Sequence, residues 1–205
     1  MTRRCDYAWR LVLIPLTVLT VLADARQVLA VPFVYSFDGT GTGTLDVFSF
    51  TNAAFHIKTY GDTADVVGAA GGRFELRNPT IVTTIDIGFA HGTFLIPTRL
   101  FDNQTLAALG LSRAHAPNDA DLLDLSDPAF KTYDLRTEIG PIFVAAPFAV
   151  NQFNNIPLDI GTLTFASAQD ITFQVSPTPE PSTLILWGTS AAWVGLVRWL
   201  RRRRT

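Results

Sequence analysis

The middle of this 205-residue chain, residues 31–176, is predicted to form an all-β domain with a sandwich or jelly-roll-like fold. Three observations predict it. Apolar and polar residues alternate with a period of two, and turn-forming residues separate these runs at short intervals. No strand–helix–strand rhythm and no long internal repeat occurs. Short strands with one polar face each are typical of two sheets packed face to face.

The alternation defines the individual strands. In Arg73–Arg77, for example, the apolar residues point one way and the charged residues the other. Strands are predicted at 33–37, 44–50, 54–60, 73–77, 84–89, 93–96, 98–102, 132–139, 162–165 and 171–175. A hairpin connection is expected at Ala166–Asp170, and one short helix at Thr105–Arg113. Breaks are expected at Gly61-Asp62, Gly71-Gly72, Asn78-Pro79, Pro117-Asn118-Asp119, Asp127-Pro128 and Gly140-Pro141.

Glycine and threonine alternate through Gly39–Thr44, which invites comparison with a phosphate-binding loop. The run lacks the glycine spacing of the dinucleotide fingerprint, and no helical pattern follows it. A Gly/Thr strand or loop is therefore the better prediction.

The first 30 residues have the layout of a secretory signal peptide. Arg3, Arg4 and Arg10 precede an apolar run, Leu11–Ala23, and small residues then provide two cleavage candidates, after Ala25 and after Ala30. The alternative is an uncleaved membrane anchor, although thirteen apolar residues are short for a span of about 20.

The last 29 residues, 177–205, form a third segment. Leu184–Val197 carries no charge, and the stretch to Leu200 covers roughly 25 Å as a helix, enough for a thin bilayer. The arginines 201–204 are expected to stay on the cytoplasmic side, so residues 31–176 are expected outside. A permanent single-span anchor is one interpretation of this transmembrane helix.

The tail also resembles the PEP-CTERM sorting signal of exported bacterial proteins. The likeness lies in three parts in order: the motif Pro179, Glu180 and Pro181; the apolar helix from Leu184; and the terminal cluster Arg201, Arg202, Arg203 and Arg204. The resemblance implies processing by an exosortase, with removal of the tail and delivery from the inner membrane to the cell surface. The middle domain is similar, more loosely, to β-rich ectodomains that begin with a Gly/Thr strand such as GTGTGTL, and no activity comes with that likeness.

Charge and aromatic residues separate the middle from the two ends. Residues 31–176 hold fifteen Asp and Glu against seven Lys and Arg, a net charge of −8, which argues against nucleic acid as a partner. All four tryptophans lie in the ends and all fifteen phenylalanines in the middle. The only cysteine, Cys5, lies in the leader, so the middle domain can form neither a disulfide nor a thiolate metal site.

The middle contains few candidates for chemistry. His56, His91 and His115 are widely spaced and form no metal motif, and His56 is expected on the polar face of a strand, in solvent. Gly110–Ala114 differs by one residue from a nucleophile elbow centred on Ser112, a device that needs a strand before it and a helix after it. The carboxylates of Asp119–Asp127 could hold Ca²⁺ but match a solvated loop better, with Asp127 starting a turn. We therefore assign no catalytic residue, metal or cofactor.

Three functional hypotheses follow. The first is a non-enzymatic cell-surface or matrix protein, processed by signal peptidase and an exosortase. The second is a binding module for extracellular polysaccharide, assisted by Ca²⁺. The third is an exported hydrolase with an unrecognised site.

Overall fold

The computed structural model describes residues 31–77, 81–113, 121–147, 150 and 152–178. Within them the chain forms two antiparallel sheets and only two single-turn 3₁₀ helices, which confirms the predicted all-β class and is consistent with a sandwich. No helix in these ranges is long and apolar enough to cross a membrane. The predicted signal peptide, transmembrane helix and sorting motif lie outside the described residues.

Seven strands form the larger sheet. In order across the sheet they are β10 (Ile139–Val144), β12 (Gly161–Pro177), β1 (Pro32–Leu45), β2 (Phe48–Asp62), β5 (Val82–Ile87) and β6 (Ala90–Thr93), with β11 (Ile156–Leu158) paired to β12. The smaller sheet contains β3 (Val66–Ala69), β4 (Arg73–Leu76), β7 (Thr98–Asn103), β8 (Ala108–Arg113) and β9 (Asp121–Ser126), in that order. The 3₁₀ helices are Thr63–Asp65 and Pro128–Lys131.

The larger sheet closes on itself at one end. Phe94, just after β6, forms a bridge to Leu158 of β11. The Leu95 amide donates to the Pro157 carbonyl at 3.0 Å, and the Asp159 amide donates to the Thr93 carbonyl at 3.0 Å. Because β11 also pairs with β12, the strands form a ring at this end, and closure removes exposed sheet edges there.

Phenylalanine rings fill the closed end. Phe165 lies at the centre, with its ring centroid 4.8 Å from that of Phe153, 5.1 Å from Phe55 and 5.6 Å from Phe50. These edge-on and tilted contacts are the arrangements that aromatic quadrupoles favour. Inward-facing side chains of both sheets continue this cluster into one hydrophobic core.

The Gly/Thr run is part of β1, as the strand interpretation expects. Its glycines point inward and its threonines outward, and the inward side is where the phenylalanine rings lie. A Cβ atom at Gly41 would come 2.4 Å from the Phe165 ring, and one at Gly39 would come 3.0 Å from the Phe55 ring. The alternation is therefore a packing pattern: glycine makes room for the rings.

The segment 127–138 connects β9 of the smaller sheet to β10 of the larger one. Asp127 caps its 3₁₀ helix by accepting from the Ala129 amide at 2.8 Å. Phe130, Tyr133 and Leu135 are buried along it. The Tyr35 hydroxyl donates to the Leu135 carbonyl at 2.6 Å, which holds the segment against the larger sheet.

Several predicted elements are wrong. The predicted strand 44–50 straddles the turn at Asp46-Val47 between β1 and β2, and the predicted hairpin at Ala166–Asp170 lies inside the 17-residue strand β12. The polar residues of the segment 166–170 lie where the pairing register between β12 and β1 shifts, at Asp38/Thr40 and Thr42/Gly43 of β1. Bulges therefore accommodate these residues without a turn.

The remaining errors fall on other elements. The predicted strand 84–89 ends at Ile87, because Gly88 and Phe89 form the turn between β5 and β6. The predicted helix Thr105–Arg113 is a turn followed by β8, and the predicted strand 132–139 is irregular until Ile139. The predicted strand 93–96 is reduced to the end of β6 and one bridge. The break expected at Gly140-Pro141 lies inside β10.

Candidate functional site

A row of alternating aspartate and histidine side chains crosses four strands of the larger sheet. Asp38 of β1 is in register with His56 of β2, His56 with Asp86 of β5, and Asp86 with His91 of β6. Neighbouring residues along these strands, such as Phe37, point into the core. Because side chains alternate along a strand, the row lies on the outer face of the sheet.

The row forms two carboxylate–imidazole pairs. His56 Nδ1 contacts Asp38 Oδ1, and His91 Nδ1 lies 2.5 Å from Asp86 Oδ1. An ionised carboxylate only accepts, so in each pair Nδ1–H donates and Nε2 is left for another partner. Burial and the neighbouring Lys58 lower the pKa of His56, while Asp86 raises it.

Two adjacent depressions lie along this face, and Asp38 and His56 line both. The first, of about 340 Å³, also contacts Asp86 and Gly88 near the β5–β6 turn. The second, of about 480 Å³, extends toward the other end of β1. Its further lining residues are Ser36, Lys58, Tyr60, Gln174 and Ser176, together with apolar neighbours.

The two depressions have a mixed polar and apolar lining. Carboxylates, an amide, hydroxyls, the His56 imidazole and one ammonium offer both donors and acceptors, and Tyr60 adds a partly exposed ring. These groups are able to hydrogen-bond a hydroxyl-rich ligand. Among the described residues no group of three or more His, Cys, Asp or Glu side chains could hold a metal ion.

The aspartates of 119–127 are not a single solvated loop. Asp121–Ser126 is strand β9, and Asp124 is buried, so the expectation of a solvated loop is wrong there. Burial, followed by its neighbour Asp121, raises the pKa of Asp124 to about 7. Asp127 starts a turn, as predicted, and Asp119 lies outside the described residues.

Ser112 does not lie on an elbow. It is fully buried within β8, and its hydroxyl accepts from Arg99 Nε at 2.9 Å. Arg99 Nη1 also lies 3.2 Å from Glu75 Oε1, so Ser112 belongs to a polar cluster on the outer face of the smaller sheet. His115 lies outside the described residues.

The structure does not describe the sorting and cleavage positions. Pro179, Glu180, Pro181, Arg201–Arg204, Ala25 and Ala30 all fall in ranges without description. His56 lies on the polar face of a strand, as predicted, but it is partly buried against Asp38 and not free in solvent. The sequence did not single out its neighbours Asp38, Asp86 and His91, although their alternation with core residues within each strand indicated the outer face.

Comparison with known proteins adds no relative. The chain matches no protein-family model, no curated protein sequence and no solved structure.

Proposed function

We propose that this chain is an exported, non-enzymatic protein of the cell surface or extracellular matrix, sorted by an exosortase through its tail. The observation that carries the proposal is the order of three features at the C-terminus: Pro179-Glu180-Pro181, the apolar stretch Leu184–Val197 and the arginines 201–204. Signal peptidase removes the leader after Ala25 or Ala30. The transmembrane helix then holds the chain in the inner membrane until the tail is processed.

The sorting step depends on Glu180 in this proposal. An enzyme at the membrane surface recognises an extended strip whose backbone is ordered by the two prolines, with one carboxylate between them. A charge-assisted hydrogen bond to that carboxylate contributes about 1.5–3 kcal/mol when well formed. Its loss slows processing by roughly tenfold or more.

The test compares Glu180→Gln with wild type in the native host. Full-length protein should accumulate in the inner membrane when Glu180 is neutralised, and also when Pro179→Ala and Pro181→Ala are combined. Glu138→Gln, a charge change of the same kind before β10, should be processed normally. Equal processing of all variants would contradict the sorting proposal and favour a permanent anchor.

The second candidate function is binding of extracellular polysaccharide at the outer face of the larger sheet. The two depressions that share Asp38 and His56 favour it, because together they form an extended surface of mixed polar and apolar lining that includes the exposed ring of Tyr60. Sugar hydroxyls both donate and accept, which matches the mixed lining. This candidate needs no calcium at Asp119–Asp127.

Calorimetric titration of the protein with the host's own polysaccharide tests this candidate. Asp38→Asn and Lys58→Gln should each weaken binding about fivefold to tenfold, since each removes one charged hydrogen-bonding group. Lys131→Gln, in the second 3₁₀ helix and outside the lining of both depressions, is the matched control. Binding that is unchanged in all three variants would exclude this face as the site.

A further inference from the structure

Three turns at the closed end of the larger sheet each expose apolar side chains. Val47 and Phe48 follow β1 and are 88 % and 74 % exposed, Phe89 between β5 and β6 is fully exposed, and Ile160 between β11 and β12 is 41 % exposed. Tight turns in soluble proteins usually carry glycine, proline or short polar side chains. Apolar residues at three separate turns therefore need an explanation.

The three turns lie together at one end of the molecule. The Asp46 amide donates to the Thr162 carbonyl at 2.8 Å, and the Thr162 amide donates to Asp46 Oδ1 at 2.6 Å, so the first and third turns are neighbours. Ile160 packs beside Gly92, which follows the second turn on β6. We call Val47, Phe48, Phe89 and Ile160 the apolar tip.

The two carboxylates beside the apolar tip, those of Asp46 and Asp159, are hydrogen-bonded to backbone amides. Asp46 accepts from the Thr162 amide, and Asp159 Oδ1 accepts from the Thr93 amide at 2.7 Å. The turn residues 46–48, 88–90 and 159–161 include no lysine or arginine. The exposed apolar side chains therefore lie beside two carboxylates that are hydrogen-bonded to backbone amides, and these turn residues carry no cation.

The first and last described residues, Val31 and Thr178, lie at the end of the domain opposite the apolar tip. At that end, the Val31 amide donates to Thr63 Oγ1 at 3.2 Å, and the Thr178 amide donates to the Pro32 carbonyl at 2.8 Å. The 14-residue strand β1 runs between the two ends. Val31 and Thr178 therefore lie away from the apolar tip.

The area and shape of the tip favour a lipid surface over a protein. Two phenylalanines, a valine and an isoleucine offer roughly 500 Å² of apolar area, below the 800 Å² or so that each partner buries in a stable protein complex. The side chains also stand on three separate turns. A bilayer adapts to such an arrangement, since apolar side chains enter the boundary of headgroups and acyl chains to a depth of about 5–10 Å.

We propose that the apolar tip inserts into the surface of a zwitterionic phospholipid membrane. Asp38, Asp86 and the net negative charge of residues 31–176 disfavour an anionic one. The inference goes beyond the proposed function, and it holds whether or not an exosortase processes the tail.

The test uses the full chain with Cys5→Ser and a single cysteine carrying a polarity-sensitive fluorophore. Labels at Val47→Cys and Phe89→Cys should shift to the blue on phosphatidylcholine vesicles and be quenched by brominated acyl chains. A label at Ala64→Cys, at the opposite end, should keep its aqueous emission. This design separates tip insertion from vesicle binding through the apolar terminal segments.

A second variant separates insertion from a labelling artefact. With the label at position 89, Phe48→Ser should shift the insertion equilibrium toward the aqueous state about tenfold. Phe143→Ser, which changes a phenylalanine of β10 that is 61 % exposed, should leave it unchanged. Aqueous emission from both tip labels on vesicle-bound protein would overturn the proposal. An equal blue shift of the label at position 64 would also overturn the proposal. A blue shift that depends on protein concentration and occurs without vesicles would overturn it by showing self-association of the tip.

Discussion

Glycine at position 41 illustrates how single residues of the Gly/Thr run set the core. Its missing side chain leaves room for the Phe165 ring, which a Cβ atom would approach to 2.4 Å. We predict that Gly41→Ala lowers the free energy of unfolding by about 1–3 kcal/mol, because overpacking displaces the ring. Urea denaturation measures the change. Gly68→Ala, where the added methyl meets only an ordinary contact at 3.5 Å, is the matched control. Equal stability of the two variants would contradict the packing explanation.

Asp102 is the second residue with a measurable consequence. Its side chain is fully buried, and neither carboxylate oxygen has a hydrogen-bond partner in the described part of the chain. Burial, and then the neighbouring Asp134, raise the pKa of Asp102 from 3.8 to about 8. A neutral carboxyl is cheaper to bury than a charged one, so the folded state retains the proton.

The stability of the domain should therefore fall as the pH rises from about 4 to about 8. In that window the unfolded chain ionises Asp102 while the folded chain holds it neutral, and the loss approaches about 1 kcal/mol per pH unit. Below the window both states are protonated and the penalty vanishes. Urea denaturation across this range should show that the free energy of unfolding falls less steeply with pH in Asp102→Asn than in wild type. The decrease that remains should come from Asp124, whose pKa is also raised. If the free energy of unfolding of Asp102→Asn fell with pH as steeply as that of wild type, the assignment to Asp102 would be refuted.

At the scale of elements, one side chain supplements the backbone hydrogen bonds that close the larger sheet. Asp159 accepts from the Thr93 amide at 2.7 Å and fixes the end of β6 against β11. Asp159→Ala should cost about 1 kcal/mol and accelerate hydrogen exchange at Thr93 and Leu95. Asp159→Asn keeps an acceptor oxygen and should restore most of the protection. Similar exchange in Asp159→Ala and wild type would show that backbone pairing alone closes the sheet.

The alternation of apolar and polar residues predicted individual strands better than it predicted which strands pair with each other. Strands 54–60 and 73–77 agree with β2 and β4, because each shows its two faces within five to seven residues. Strand β9 was missed, since the carboxylates of Asp121 and Asp124 suggest solvent, whereas Leu122 and Leu125 are buried in the core. Tertiary packing outweighed local polarity there.

The Asp–His row could not be predicted for a related reason. Within one strand, Asp38 or His91 is simply an outward-facing residue. Their juxtaposition requires the registers of three strand pairs, which depend on turns and bulges distributed over some 50 residues of chain. The ring closure through Phe94 and Leu158 likewise joins segments that are remote in sequence.

At the scale of the whole molecule, residues 31–178 should fold independently. Both chain ends are held by backbone hydrogen bonds, and the core contains no cysteine, so neither oxidant nor reductant is required. Far-ultraviolet circular dichroism of this fragment should show a β-rich spectrum without added Ca²⁺. A helix-dominated spectrum, or folding only with Ca²⁺, would contradict the structure or restore a metal role for Asp119–Asp127.

Sorting through the tail is the central functional claim, and the mass of the protein at the cell surface tests it most directly. Intact-protein mass spectrometry of surface and membrane fractions from the native host measures that mass. We predict surface material that begins after Ala25 or Ala30 and lacks Leu184–Thr205. Surface material that still carries Leu184–Thr205 would contradict the account and show that the tail is a permanent anchor.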